Sequence, residues 1–477
     1  MDKNKANNLT GSIIWKFLER SSVQIINLVV QILLARILAT EQFGSLAIIL
    51  VFYNLADLIV QKGFGSALIR KDELSKADLD SVFLLSLALA CICSLIIVIF
   101  SERICIYYNN NSLLWPLRVM GFSLLLSPAY CVCNSLLIRE MQFKKIFIRS
   151  FCGTVISGTL AIISALKGFG LWALVIQMIT NQLILTLLMC FSTKYWGGSH
   201  FSKEAFWDVF SFGKNVLITE FLLTLLESLR TLLIGKQYST EDLAYYDRGQ
   251  VYPATLMRAI NDTLFSTLLP FFSKIHNDKQ KLRLHFETVL YYATLIVFPT
   301  FLGLAAVSKT LICLLLTDKW IDSIIYMEIF CVYQVVFPYQ IVSKAVLYAI
   351  GDSKTVLKLE IIKSLISFVL LLISIKLGVI YIAASLIVVR IISDFLYVIK
   401  LTQRFGKLSV IKTTWKQLVA ATIMMVLVRT LSVPTSLFLT LLLQIFIGVV
   451  FYCCFLFLVD YKKMRQVIST TIRRFKK

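Results

Sequence analysis

Glu220, Thr224, Glu227 and Thr231 follow one another at i, i+4, i+7 and i+11 in the stretch ITEFLLTLLESLRTLLIGK (218–236), with Arg230 on their flank. A helix turns about 100° per residue, so these side chains form one polar stripe on an otherwise apolar rod. A charged residue at the centre of a membrane-spanning helix disfavours insertion by roughly 2.5 to 3.5 kcal/mol, so three of them call for a wet or paired environment. Carboxylates held there can bind H⁺ or Na⁺, and a guanidinium can grip a phosphate. Shifted back by 200 positions, the same register reads Arg20, Gln24, Asn27 and Gln31.

The next helix of each set repeats the pattern one residue out of phase. Asn54, Asp57 and Gln61 share a face, and so do Thr255, Arg258, Asp262 and Ser266. Arg258 with Asp262, and Arg390 with Asp394, are four apart and can neutralise each other locally. Lys344, Lys363, Arg118 and Arg429 lie near expected helix ends, where long side chains snorkel to the interface. Arg20, Gln24, Asn27, Gln31, Arg230, Thr255 and Arg258 are therefore the candidates for binding an anionic or saccharide substrate. Asp57, Glu220, Glu227 and Asp262 are the candidates for ion coupling, with Arg390, Asp394, Lys344 and Lys363 in a second rank. For the amides and threonines the bland alternative is interhelical hydrogen bonding.

The elements that must position these groups are membrane spans. Of 477 residues 58% are hydrophobic and only 16% charged, with a mean hydropathy of +0.80, far from the roughly 25% charged residues of soluble chains. Stretches of about 20 apolar residues occur near 13–36, 43–66, 80–100, 114–137, 147–166, 170–191, 210–234, 250–273, 287–308, 324–349, 357–376, 379–400, 415–432 and 436–458. These predict an all-α polytopic protein of about fourteen helices. The first follows a polar start and is too long for a signal-peptide core, so it is expected to be retained. The net charge of +21 sits mainly in short loops, which favours a topogenic role over nucleic-acid binding. With a cytoplasmic N-terminus, inside segments hold roughly 29 basic residues and outside segments roughly 7, so both termini are expected inside. The outside loops are short, the longest being GKQYSTEDLAYYDRGQ.

ARILATEQFGSLA (35–47) aligns without gaps on GKQYSTEDLAYYD (235–247), matching Thr40 to Thr240 and Glu41 to Glu241. About six spans separate the copies, an even number, which predicts parallel repeats with a site near midplane between them. The expected organisation is 1–200, an N-terminal lobe of six spans; 201–405, a C-terminal lobe of six; and 406–477, two further spans with a basic tail. The 11 cysteines, Cys91, Cys131 and Cys453 among them, lie in apolar runs and read as small core residues. His200, His276 and His285 fall in loops, which leaves no metal or acid/base cluster, and no P-loop motif provides an ATPase motor. A membrane polymerase, ligase or glycosyltransferase would need a large outer loop or an acidic loop motif, so no enzyme activity and no cofactor is expected beyond a coupling ion.

LLARILATEQFGSLAIILVF, GFGSALIRKDELSKADLDSVFLLSLALA, LRVMGFSLLLSPAYCVCNSLLIREMQFKKI, LPFFSKIHNDKQKLR, LLTDKW and IGDSKTVLK together resemble the polysaccharide-transporter branch of the multidrug/oligosaccharidyl-lipid/polysaccharide (MOP) exporter superfamily. These are the Wzx-type flippases of O-antigen, capsule and exopolysaccharide. The resemblance runs over roughly residues 10 to 400 and is spread rather than concentrated. It implies a bacterial inner-membrane protein with two pseudo-symmetric six-helix lobes and two added C-terminal helices. By alternating access such a protein moves an undecaprenyl-pyrophosphate-linked oligosaccharide outward, with ion coupling, beside a polysaccharide polymerase and a chain-length regulator. Family cavities are cationic, whereas this chain adds Asp57, Glu220, Glu227 and Asp262 to the expected faces. A multidrug or organic-cation antiporter of the same superfamily and a peptidoglycan lipid-precursor flippase are the competing readings.

Overall fold

The computed structural model describes residues 22–70, 74–406, 408–431, 436–461, 463 and 465. Their regular structure is helical throughout, as apolar spans require when the backbone must satisfy its own hydrogen bonds in lipid. Among the described residues ten segments are long and apolar enough to cross a membrane, and the chain is a multi-pass membrane protein. In order the helices are α1 (Ser22–Ile37), α2 (Thr40–Arg70), α3 (Lys76–Tyr108), α4 (Leu114–Ser123), α5 (Ser127–Arg139), α6 (Phe143–Leu166), α7 (Leu171–Thr193), α8 (Lys203–Gln237) and α9 (Thr240–Lys274). They continue as α10 (Lys279–Ala306), α11 (Ser308–Leu316), α12 (Ser323–Val335), α13 (Phe337–Ala349), α14 (Ser353–Ser374), α15 (Val379–Phe405), α16 (Val410–Thr430) and α17 (Leu437–Val459). Within the described residues each expected span falls on one of these helices, with residues 13–21 of the first lying outside them; α1, α8, α9 and α14 are helical but not among the ten, and α4–α5 and α12–α13 each form a single broken crossing.

The repeat is built into the helix breaks. α1 ends at Ile37 and α2 starts at Thr40; α8 ends at Gln237 and α9 starts at Thr240, an offset of 200 for both. Proline at the first positions of α5 and of α13 divides the fourth span of each half at the same point. Both of these short helices run for 13 residues, 127–139 and 337–349, an offset of 210. A prolyl ring cannot donate to the preceding turn and clashes with it, so the break is dictated locally.

The chain divides into two units, 1–244 and 245–477. In the first, α2 packs against α8, α5, α3 and α7, and α6 pairs with α7. Gly158 leaves room for Val30, whose Cγ2 would lie 2.5 Å from an added Cβ. In the second, α10 packs on α16, α12 and α13, while α14 pairs with α15. Phe272, Phe286, Leu290, Val342 and Tyr397 belong to one buried core of that unit.

Three expectations are corrected. Residues 240–250, expected as the body of the longest outer loop, are helical: Ser239 Oγ accepts from Asp242 N–H at 2.9 Å while Asp242 Oδ2 accepts from Ser239 N–H at 3.2 Å, a reciprocal cap that starts α9 early. His285 lies within α10, stacked edge-on against Phe271, rather than in a loop. Cys91, Cys453 and Cys454 are exposed rather than core residues, because spans bordered by lipid turn apolar side chains outward.

Candidate functional site

The polar stripe of α2 is a hydrogen-bonded seam inside the first unit. Asp57 Oδ1 accepts from Ser127 Oγ and from Gln61 Nε2, each at 2.6 Å, and Gln182 Nε2 reaches Ser127 Oγ at 3.5 Å. Gln31 donates to Gln177 Oε1 at 3.2 Å, tying α1 to α7. Two short donors satisfy one oxygen of this half-buried carboxyl group, which is how a span tolerates Asp57. Gln24 is exposed and Asn27 half-buried, and Arg20 lies outside the described residues.

On α8, Glu220 and Glu227 are exposed, while Thr224, Arg230 and Thr231 are half-buried. On α9, Arg258 and Asp262 are exposed and Thr255 is half-buried; the Arg258 guanidinium reaches Thr255 Oγ1 and Ala254 O, each at 3.4 Å.

The densest charge cluster was only partly foreseen. Glu360 on α14 accepts from Lys344 of α13 at 2.7 Å, Lys363 at 2.9 Å, Gln340 at 2.8 Å and the Tyr397 hydroxyl of α15 at 2.9 Å. Lys344 and Lys363 therefore do not snorkel; an acceptor inside the unit outcompetes the interface. Arg390 and Asp394 are neighbours, Nε to Oδ2 at 4.0 Å, with side chains 2% and 6% exposed. The guanidinium lies 3.9 Å from the centre of the Phe337 ring. Both Asp394 oxygens, and Arg390 Nε and Nη2, have no hydrogen-bond partner among the described residues. Arg118 and Arg429 pair with Glu102 at 2.6 Å and Glu328 at 3.1 Å.

Glu360, Gln340, Tyr397, Ser127 and Gln182 were missed by the pattern reading. The i, i+3 spacing of Glu360 and Lys363 is the one signal that marks the hub in the sequence. A groove of about 520 Å³ was missed as well. It is lined almost wholly by apolar side chains of α10, α16 and α17, with Pro299, Gly303, Met424 and Gly448 on its walls. Small residues on facing helices open it, and their spacing carries no periodic signature.

The repeated halves, broken crossings and buried charge clusters define a fold of the MOP exporter type. The structure is similar to that of "Lipid II flippase MurJ, inward closed conformation", with a TM-score of 0.75 at 17% identity, covering 95% of this chain and 99% of that one. It is also similar to an inward-facing multidrug resistance MATE family transporter, at a TM-score of 0.55 and 13% identity, over 82% of this chain and 98% of that one. The family model described as polysaccharide biosynthesis protein matches residues 33–325, and the chain belongs to that family. It is similar to the lipopolysaccharide biosynthesis protein WzxC of Escherichia coli (strain K12), 25% identical over 313 residues, 64% of this chain and 63% of that one. It is similar as well to the succinoglycan biosynthesis transport protein ExoT of Rhizobium meliloti (strain 1021), 22% identical over 315 residues, 66% of this chain and 64% of that one. The matches thus span slightly under two thirds of the length of these relatives. The polysaccharide branch expected from the motifs is the branch in which the chain is found.

Proposed function

We propose that the protein is a flippase that carries an undecaprenyl-pyrophosphate-linked oligosaccharide across the bacterial inner membrane by alternating access, with both termini cytoplasmic. The cargo is a repeat unit of O-antigen, capsule or exopolysaccharide, and H⁺ or Na⁺ is the coupling ion. The observation that carries this reading is the apolar groove between α10, α16 and α17, which suits a polyprenyl tail and has no use for a small organic cation. Arg258, Arg230 and Arg20 supply charge for the pyrophosphate, and the amides of Gln24, Asn27 and Gln31 suit saccharide hydroxyls. Asp57, Glu220, Glu227 and Asp262 are the carboxylates for coupling. Relatives named for lipopolysaccharide biosynthesis and succinoglycan transport support a saccharide cargo. A polymerase and a chain-length regulator are the partners that such a cargo implies.

Complementation of a flippase-deletion strain tests the reading. Gly303 has only the end of Met424 within reach of an added Cβ, at 3.4 Å, so Gly303→Phe fills the groove without crushing backbone. It is expected to abolish surface polysaccharide while the protein still accumulates in the membrane, as are Arg20→Ala and Arg258→Ala in combination. Wild-type polysaccharide from all of these variants would overturn the reading. Resistance to organic cations that depends on Glu227 would favour the antiporter instead.

A further inference from the structure

A second cavity opens at the end of the first unit where the basic loops are not. It measures about 480 Å³ and is formed by four turns at that end: the start of α2, the α3–α4 turn, the α6–α7 turn and the start of α9. Trp115, Trp172 and Phe169 stand in it, 61%, 37% and 54% exposed. Between these rings are Glu41, Gln42, Asn110, Asn111 and Ser112. The Asn110 amide is fixed, donating to Ser45 Oγ at 3.1 Å and accepting from Ser112 N–H at 3.0 Å. Arg118, held by Glu102, lies 5.3 Å from the centre of the Trp115 ring and steadies it. Gln42 lines the same cavity, with its Oε1 buried and without a hydrogen-bond partner among the described residues.

From this arrangement we infer a saccharide-binding site at the outer mouth of the first unit, distinct from the charged seams within the helices. Indole faces pack against the C–H faces of pyranose rings, and amides and a carboxylate take up the hydroxyls, which are both donors and acceptors. None of the 12 lining residues is Lys or Arg, and Glu41 is acidic, so a pyrophosphate is repelled where a neutral sugar is accepted. The site holds the glycan of a cargo leaving on this side. It rests on the flippase reading only for that role, because sugar binding is measurable whether or not the protein translocates lipid.

The test is saturation-transfer NMR on the full chain in nanodiscs, with cellobiose, maltose and lactose as probes and inorganic pyrophosphate as competitor. Saturable binding of at least one disaccharide is expected, roughly tenfold weaker in Trp115→Ala and Trp172→Ala, restored by Trp→Phe at each position and indifferent to pyrophosphate. Unchanged thermal midpoints identify the alanine variants as folded. No saturable binding of any probe, binding unaltered by both alanine variants, or displacement by pyrophosphate would each overturn the site. A membrane-interface role for the two tryptophans would show as sensitivity to lipid composition without any response to sugar, and would overturn it too. Failure here with lipid translocation intact removes the site and leaves the flippase standing.

Discussion

Thr40 Oγ1 donates to Glu241 Oε1 at 2.9 Å, so the two copies of a turn repeated 200 residues apart meet each other. The contact is close on a second line: an added Cβ on Gly44 would lie 1.6 Å from the carbonyl oxygen of Thr240. No side chain can be accommodated against a rigid backbone oxygen at that distance. Gly44→Ala is therefore expected to destabilise the protein by about 1 to 3 kcal/mol through forced backbone movement, and Thr40→Val by about 1 kcal/mol through loss of one hydrogen bond. Thermal unfolding in detergent measures both, and an unshifted midpoint for Gly44→Ala would contradict the packing.

Among the described residues, Glu360 is the carboxylate that bridges Lys344 and Lys363, at 2.7 and 2.9 Å. Glu360→Gln leaves two ammonium groups, each 26% exposed, facing a neutral amide, and is expected to cost roughly 2 to 4 kcal/mol. Lys344→Met added to Glu360→Gln is expected to cost less than the sum of the single changes, because the second change removes one stranded charge. A double-mutant cycle that came out additive would show the hub to be three independent contacts.

Coupling through the carboxylates has its own readout. In proteoliposomes with an imposed pH gradient, Asp57→Asn and Glu227→Gln are expected to leave downhill movement of lipid-linked saccharide intact and to weaken its response to the gradient. Asp57→Ala is expected to be worse than Asp57→Asn, because only the amide still accepts from Ser127 and Gln61. Full gradient dependence in both conservative variants would exclude these positions from H⁺ coupling.

Asp352 caps α14, accepting from Thr355 N–H at 3.2 Å, and pairs with Arg404 across the loop. Burial pushes its carboxyl up, but the Thr355 hydrogen bonds and Arg404 outweigh this and leave it below the usual carboxylate value. A carboxylate lowered in the folded state adds stability above its unfolded pKa, and that stability drains away as pH falls through the folded value, here from about pH 4 downward. Asp352→Ala is expected to cost about 1 to 2 kcal/mol at neutral pH and less in acid. Asp352→Asn keeps a capping oxygen and is expected to lose mainly the pH dependence. Unfolding midpoints at pH 7 and pH 3.5 check the pattern.

The spans were readable because hydropathy over about 20 residues is a local property, and the repeat because Thr40 and Thr240 stand at equivalent helix starts. The Asp57–Gln61 stripe was readable for the same reason, since both residues lie on one helix. Ser127, Gln182 and Tyr397 escaped because their roles depend on which helices touch, and a hydroxyl or amide in an apolar run looks the same whether it bonds a neighbour or its own backbone. Lys344 does lie near the end of α13, but Lys363 falls in the middle of α14, and both pair with Glu360, which competes for them only once α13 and α14 are packed. The groove beside Gly303 and Gly448 is a shape between helices, which no pattern along one helix encodes.

The central claim, that the cargo is a lipid-linked oligosaccharide, is tested most directly by reconstitution. Purified protein in liposomes containing undecaprenyl-pyrophosphate-linked oligosaccharide would be challenged from outside with a membrane-impermeant glycosidase. Translocation is expected to expose the inner-leaflet pool, so cleavage rises from about half of the lipid towards completion with wild-type protein and stays at half with Gly303→Phe. Cleavage that stops at half with wild-type protein, in liposomes where the same protein exchanges an organic cation for H⁺, would contradict the claim.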